Sequence, residues 1–280
     1  MKKVLLTAGL VFAAGLVGFA ATSLTSGGFS VQSVMGRQHS IDKQKHMDGR
    51  DIQRIQVAAE GTDVTIVPSK DGQIAVHFYG TGNEAGVKSV HFGVEQKGNE
   101  LVVAVKTDDF TFLKNLQTNL EIALPKKQYE RLLLRTSSGD IEVSGAQAKN
   151  LDIQTSSGDM RITDTAAEKT SLQASSGDIS SVGLQGQLHA NTSSGDVKLQ
   201  AADIVQQVGI ETSSGDVTIE LEKEPASLAL EFESSSGDGR TDMKLEGEEK
   251  GKHSLRGKTG TGEYKLQVET SSGDFQLRVK

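Results

Sequence analysis

The chain has 280 residues, of which 35 % are hydrophobic and only 4 % aromatic, and it contains neither tryptophan nor cysteine. The absence of cysteine excludes disulfides, thiol nucleophiles, Cys-ligated metals and an acylated lipobox cysteine. The formal net charge of −7 argues against nucleic-acid binding, which requires a basic surface. With 31 glycines against 3 prolines, the composition suits many turns around a thin aliphatic core.

The N-terminus combines two basic residues with an uncharged apolar run. Lys2 and Lys3 precede residues 4–21, which read VLLTAGLVFAAGLVGFAA. This run just reaches the length of a membrane-spanning helix, and the small residues Gly18 and Ala20, on either side of Phe19, also fit a signal-peptide cleavage site. Residues 1–21 are therefore predicted to be a signal anchor helix or a signal peptide. The positive-inside rule places the rest of the chain outside the cytoplasm.

Residues 22–50 show no hydrophobic periodicity and predict a linker between the membrane and a domain at 51–280. Within that domain, apolar residues occupy every second position, with turn residues between the runs, which predicts short β-strands. The pattern in its first half is carried by Ile55/Val57, Val64/Ile66, Ile74/Val76/Phe78, Val90/Phe92/Val94, Leu101/Val103/Val105 and Leu120/Ile122/Leu124.

A five-residue phrase, Thr-Ser-Ser-Gly-Asp, organises the second half of the chain. It occupies 136–140, 155–159, 192–196, 212–216 and 270–274, and it recurs with Ala or Ser in first place at 174–178 and 234–238. Its aspartates are separated by 19, 19, 18, 20, 22 and 36 residues, and a period near twenty indicates a structural repeat. Apolar residues lie two and four positions before the phrase and one and three positions after it. That pattern slips to Ile179/Val182 after Asp178 and breaks at Gly239.

Each repeat is thus a strand, a tight corner and a second strand, and the sequence predicts an all-β fold. A β-solenoid of ~19–20-residue rungs is favoured over an antiparallel meander, because stacked rungs bring identical corner residues into ladders. The 36-residue step would be two rungs, the first without its phrase, and the strand at 275–279 would form or adjoin an end cap. Seven glycines are predicted structural corners with positive φ, beside Ser and Asp side chains that bond nearby backbone N–H groups: Gly139, Gly158, Gly177, Gly195, Gly215, Gly237 and Gly273.

The Ser-Ser-Gly-Asp corners, the alternating N-terminal half and the single N-terminal apolar segment resemble the DUF4097 family of bacterial β-strand repeat proteins, described as adhesins. Within it, they look most like the LiaG-type membrane proteins of Gram-positive envelope-stress operons. The resemblance covers roughly residues 50–280 and implies an extracytoplasmic β-solenoid at the cell envelope. It carries no active-site motif and no cofactor.

Two kinds of chemistry are weighed against a purely structural role. The corner aspartates would form a calcium-binding row, although one acid per rung supplies few ligands: Asp140, Asp159, Asp178, Asp196 and Asp216. A polysaccharide-cleaving enzyme would use outward acids and bases, and the candidates are Glu142, Asp152, Arg161, Lys198 and Glu220. The histidines follow no catalytic spacing, and His189 is expected at the surface.

The interrupted segment 240–265 carries seven basic residues against five acids and is a candidate contact for a partner or an anionic polymer, or a solvated irregular rung. The sequence therefore predicts a non-catalytic envelope protein with a structural or interaction role, membrane-anchored or secreted, without nucleic acid as a partner. A carbohydrate-active enzyme and a calcium-stabilised adhesin are its rivals.

Overall fold

The computed structural model describes residues 38–108 and 115–280. The signal or anchor predicted for 1–21 lies outside these residues. The described part of the N-terminal half contains one short helix, α1 (Glu84–Lys88), and the strands β1 (His39–Met47), β2 (Arg54–Ala59), β3 (Asp63–Pro68), β4 (Ile74–Gly82), β5 (Val90–Lys97), β6 (Glu100–Thr107), β7 (Leu116–Leu124) and β8 (Gln128–Thr136). Among the described residues, no helix is long and apolar enough to span a bilayer.

The C-terminal half consists of shorter strands in regular succession. They are β9 (Ile141–Ser144), β10 (Gln147–Thr155), β11 (Met160–Thr163), β12 (Ala166–Ala174), β13 (Ile179–Val182), β14 (Gln185–Thr192), β15 (Val197–Ala201), β16 (Val208–Thr212), β17 (Val217–Leu221), β18 (Leu228–Ser234), β19 (Gly239–Thr241), β20 (Glu246–Lys250), β21 (Ser254–Thr259), β22 (Tyr264–Thr270) and β23 (Phe275–Val279).

The strands form two large sheets with one shared core. The 11-stranded sheet has the order β1-β4-β7-β3-β9-β11-β13-β15-β17-β23-β19, and the 12-stranded sheet has the order β20-β21-β18-β22-β16-β14-β12-β10-β8-β2-β6-β5. Neighbouring repeats pair in parallel, as β8, β10 and β12 do. Parallel pairing excludes the meander and confirms the solenoid, because each repeat passes once through each sheet.

The apolar pairs that flank the phrase are buried, as predicted, and pack into one continuous core. The predicted slip after Asp178 is wrong. Ser181 lies 2 % exposed in the core while Val182 is 37 % exposed, so strict alternation continues. At the predicted break, Gly239 is buried and keeps the inward position of the pattern, and a side chain is excluded there because a Cβ would lie 2.5 Å from the ring of Phe232.

The predicted linker at 22–50 is wrong in its last part, because β1 pairs antiparallel with β4 at one edge of the 11-stranded sheet. Nearly every residue of β1 is exposed, and Ile41 alone among its nine residues is buried. An edge strand with so little buried surface leaves no periodic apolar signal in the sequence.

The order of rungs departs from the order of the chain near its C-terminal end. The rung of β22 and β23 lies between the rung of β16 and β17 and that of β18 and β19. Residues between the last two phrases form the antiparallel hairpin β20–β21, which extends the 12-stranded sheet beyond β18. The 36-residue step is therefore not two rungs. The last strand, β23, adjoins the edge strand β19.

Candidate functional site

A row of aspartates runs along the corners that join the two sheets. The backbone N–H of each aspartate donates to Oδ1 of the aspartate in the neighbouring rung. The pairs are Asp140 to Asp63 (3.0 Å), Asp159 to Asp140 (2.8 Å), Asp178 to Asp159 (2.9 Å), Asp196 to Asp178 (2.8 Å), Asp216 to Asp196 (2.9 Å), Asp274 to Asp216 (2.8 Å) and Asp238 to Asp274 (2.8 Å). Repulsion between carboxylates ~5 Å apart is about 1 kcal/mol in water. A charge-assisted hydrogen bond of ~1.5–3 kcal/mol offsets it.

The corner glycines are required by close packing between rungs. A Cβ on Gly158 would lie 1.9 Å from the carbonyl oxygen of Gly139, and one on Gly177 would lie 2.1 Å from that of Gly158. The other five corners are equally tight, with 1.7–2.1 Å from the added Cβ to a backbone oxygen of the adjacent rung. The predicted positive φ is wrong, because none of the seven has one. Stacked backbones, not turn geometry, exclude a side chain here.

The remaining residues of the phrase divide between inside and outside. The leading threonines are buried, and Thr155 Oγ1 accepts from the N–H of Gly158 at 3.0 Å. The serines are exposed, and their backbones extend the ladder, as in the bond from Ser176 N–H to the Ser156 carbonyl (2.9 Å). The phrase is thus a corner whose backbone and carboxylates stack, with serine hydroxyls at the surface.

The proposed calcium ligands lie in this row, and their described hydrogen bonds all use Oδ1 and a backbone N–H. Within 38–108 and 115–280, no group of three or more His, Asp or Glu is arranged to hold a metal ion. The calcium row therefore stays a prediction, and the ladder supplies a partner for each of its carboxylates without a cation.

The candidate catalytic acids and bases lie on two different faces. Glu142, Arg161, Lys198 and Glu220 project from strands of the 11-stranded sheet, whereas Asp152 belongs to the 12-stranded sheet. Because the two sheets enclose the core, Asp152 cannot meet the other four.

Two of the three acids among these candidates, Asp152 and Glu220, are held by neighbouring cations and amides. Asp152 accepts from Arg131 Nε at 2.8 Å. Glu220 accepts from Gln200 Nε2 at 2.6 Å and lies 3.3 Å from Lys280 Nζ. The hydrogen bond from Gln200, followed by that from Lys280, lowers the pKa of Glu220. A general acid needs a raised pKa to hold its proton at neutral pH, so this environment disfavours that role.

A trough of polar side chains lies on the outer face of the 12-stranded sheet. Gln154, Gln173 and Asn191 lie in register on β10, β12 and β14, beside Arg135 on β8. His189 also lines the trough, which has a volume of about 560 Å³, and is exposed as predicted. We call this feature the amide trough. Its lining has no large apolar side chain, and the serines 156, 175 and 193 of the corners form one wall.

Each amide of the trough uses one polar atom within the described chain. Arg135 Nε donates to Gln154 Oε1 at 3.0 Å, and Asn191 Nδ2 donates to Glu211 Oε2 at 3.0 Å. Gln173 Nε2 donates to Ser171 Oγ at 3.5 Å. The opposite atom of each amide has no protein partner among the described residues. The trough therefore offers both donors and acceptors to a ligand.

A larger recess, of about 720 Å³, lies at the opposite corners. Ala148, Ala167 and Gly186 line it with Leu184, and Val205 on its rim is 51 % exposed. Its two acids are both engaged. Asp203 pairs with Lys223 at 3.1 Å, and Glu168 accepts from Gln128 Nε2 at 3.3 Å. The recess is lined by apolar and amide side chains, and both of its acids already have partners.

Three of the seven basic residues of segment 240–265 form ion pairs with nearby acids. Arg256 forms ion pairs with Glu231 and Glu233 on β18, and Lys265 Nζ lies 2.8 Å from Glu231. Arg240 lies 3.7 Å from Asp238. Of these three, Arg256 lies on the hairpin, which joins the solenoid through the backbone pairing of β21 with β18. Lys244, Lys250, Lys252 and Lys258 form no ion pair among the described residues, so the role of this segment as an anion-binding surface stays a prediction.

Two features of these surfaces, Asp63 and the amide trough, were not predicted from the sequence. Asp63 begins the aspartate row. The sequence pattern could have predicted this, because Val64 and Ile66 follow Asp63 at the same one- and three-residue spacing as the apolar residues that follow corner aspartates such as Asp140. The amide trough combines different residue types, Gln and Asn, at equivalent positions. It becomes visible only when the strands are placed in register.

The match to a family model agrees with this architecture. The family model Toastrack DUF4097 matches residues 52–180 and 132–278. No curated protein matches the chain. Among solved structures, a "putative cell adhesion protein" from Clostridium sporogenes is 15 % identical, with coverage of 86 % of this chain and 100 % of the other and a TM-score of 0.38.

Two further solved structures are similar to the chain at a comparably low sequence identity. A "putative adhesin" from Bacteroides fragilis is 12 % identical, and a "putative lipid binding protein" from Parabacteroides distasonis is 14 % identical. Both alignments cover 85 % of this chain and 97 % of the other, with TM-scores of 0.44. Likenesses this distant carry no argument about function. The family model covers most of the domain, and the chain belongs to the Toastrack DUF4097 family.

Proposed function

We propose that this chain is a non-catalytic protein of the bacterial cell envelope, with a structural or interaction role. In this proposal the N-terminal apolar segment anchors it in the membrane, its repeat domain lies outside the cytoplasm, and it takes part in the response to envelope stress. The apolar run at 4–21 and the resemblance to LiaG-type proteins support these parts.

The observation that carries the interaction role is the long exposed face of aligned polar side chains on a rigid scaffold. The aspartate ladder and the backbone bonds between corners fix the spacing of successive rungs. A surface held in this way presents polar side chains at regular intervals, and little conformational entropy is lost in ordering the backbone when a partner binds. The separation of Asp152 from the other candidates and the lowered pKa of Glu220 favour binding over catalysis.

The test is cross-linking of intact envelopes that carry the full chain with a C-terminal tag, followed by capture and identification of bound proteins and wall polymers. The matched control carries residues 1–50 fused to an unrelated domain. We expect an envelope component recovered with the full chain and absent from the control. Equal recovery from both would contradict the interaction role.

A calcium-stabilised adhesin is the second candidate, because the aspartate row places one carboxylate in every corner. Its test is the melting temperature of the full chain with calcium and with a chelator. We expect no difference, since backbone N–H groups already satisfy the carboxylates. A rise of several degrees with calcium would favour the adhesin with a bound cation. Release of reducing sugars from wall polysaccharide would instead indicate an enzyme.

A further inference from the structure

We propose that the amide trough binds a neutral, hydroxyl-rich polysaccharide along the solenoid axis. This inference rests on the interaction role proposed above and names its surface and ligand class. The surface comprises Gln154, Gln173 and Asn191 with Arg135, together with the corner serines beside them.

The first argument is the match of hydrogen-bonding groups. A primary amide carries both a donor and an acceptor, and a serine hydroxyl is likewise both. Sugar hydroxyls have the same dual character, so one amide can donate to one hydroxyl and accept from its neighbour. Gln154 Nε2, Gln173 Oε1 and Asn191 Oδ1 have no partner within the described chain and are available for such contacts.

The second argument is periodicity. The in-register amides on β10, β12 and β14 repeat at the strand spacing of ~4.8 Å, which is close to the length of one sugar unit in an extended pyranose chain. With Arg135 on β8, the trough spans three intervals, or about 14 Å. Successive sugars of a β-1,4-linked chain present opposite faces, so such a polymer places one sugar over each rung and an equivalent hydroxyl over every second rung, whereas a globular partner has no such repeat.

The third argument is charge. In the outer row that contains the trough, Arg135 follows Ala104 and Ala58, the three amides come next and are uncharged, and Glu211, Glu269 and Glu233 lie on the next three strands. A polyanion lying along this row would meet three carboxylates beyond the amides, and like charges at this spacing repel. The absence of large apolar side chains also disfavours a lipid or an apolar protein surface.

The experiment measures binding of the purified full chain to β-1,4-linked oligomers of N-acetylglucosamine with two, four and six sugars. It also includes two polymer arms, a soluble neutral β-glucan and peptidoglycan freed of anionic polymers. The test variant is Gln154→Ala/Gln173→Ala/Asn191→Ala. The control, Gln117→Ala/Gln187→Ala/Gln276→Ala, removes the same number of amides outside the trough. All six side chains lie on outer faces, and melting curves verify that both variants fold.

We expect affinity to rise from two to four sugars and to level off at six, because the trough is about 14 Å long. The trough variant should bind at least tenfold more weakly and the control variant within twofold of the native chain. Preference between the polymer arms identifies the source of the ligand. Absence of binding to every neutral glycan, an equal loss in the control variant, or affinity that falls steeply with salt would overturn the proposal.

The two proposals fail in distinguishable ways. If the trough variant still captures the same envelope component as the native chain, the interaction role stands and the trough is not its surface. If the native chain captures nothing and binds no glycan, both are wrong.

Discussion

The backbone N–H of Asp159 donates a 2.8 Å hydrogen bond to Oδ1 of Asp140, which lies one rung earlier in the same row. This bond joins a side chain of one repeat to the backbone of the next. It therefore gives the repeated aspartate a role in stacking the rungs that requires no ligand. The same relationship recurs at each of the corners described.

Replacement of Asp159 tests whether the carboxylate acts as a hydrogen-bond acceptor. Asp159→Ala leaves the N–H of Asp178 without its 2.9 Å partner and should lower the free energy of unfolding by about 1–2 kcal/mol. Asp159→Asn keeps an oxygen at Oδ1 and removes like-charge repulsion, so it should cost less than half as much. Urea denaturation of both variants checks this. Equal losses would show that the charge, and not the acceptor, stabilises the corner.

For two buried threonines, we expect the same substitution, Thr→Val, to change the free energy of unfolding in opposite directions. Thr170 is 3 % exposed, and its Oγ1 has no hydrogen-bond partner within the described residues. Thr170→Val should therefore raise the free energy of unfolding by about 1 kcal/mol. Thr192 Oγ1 donates to the Gly177 carbonyl at 3.1 Å, so Thr192→Val should lower it by a similar amount. A shift in the same direction for both would refute this assignment of partners.

We expect Glu220 to contribute to the stability of the fold in a pH-dependent way. Its hydrogen bonds from Gln200 and Lys280 lower its pKa below the usual 4.5. A group with a lowered pKa in the folded state stabilises that state above its unfolded pKa, and the contribution is lost as pH falls through the folded pKa. Glu220→Gln should therefore lower the melting temperature at pH 7, and the difference should narrow below pH 4.5. A constant difference across this range would be inconsistent with the ionic partner.

The sequence predicted the corners and the core because both follow from local pattern. Burial at alternate positions is a property of each strand by itself, and pairs such as Ile153 and Leu151 show it directly. The prediction from the sequence failed at Ser181 because a serine that faces the core is indistinguishable in sequence from a polar surface residue. It failed at β1 because an edge strand with one buried side chain has no period.

The order of the rungs could not be predicted from the local sequence pattern. Leu266 and Val268 of β22 carry the same apolar spacing as Leu230 and Phe232 of β18, so either strand could pair with β16. The structure places β22 there, and only contacts distant in sequence decide it. The amide trough was hidden for the same reason, since its members are brought together by register across three repeats.

The unfolding free energy of Gly177→Ala tests most directly the claim that the repeated phrase is a stacking corner. A methyl group there would lie 2.1 Å from the Gly158 carbonyl oxygen, so adjacent rungs must separate. We predict a loss of about 3 kcal/mol or more. Gly93→Ala, where an added Cβ has no neighbour within 4 Å, should change stability by less than ~0.5 kcal/mol. Unchanged stability of Gly177→Ala together with lost partner binding would contradict the account and make the corner row a binding site.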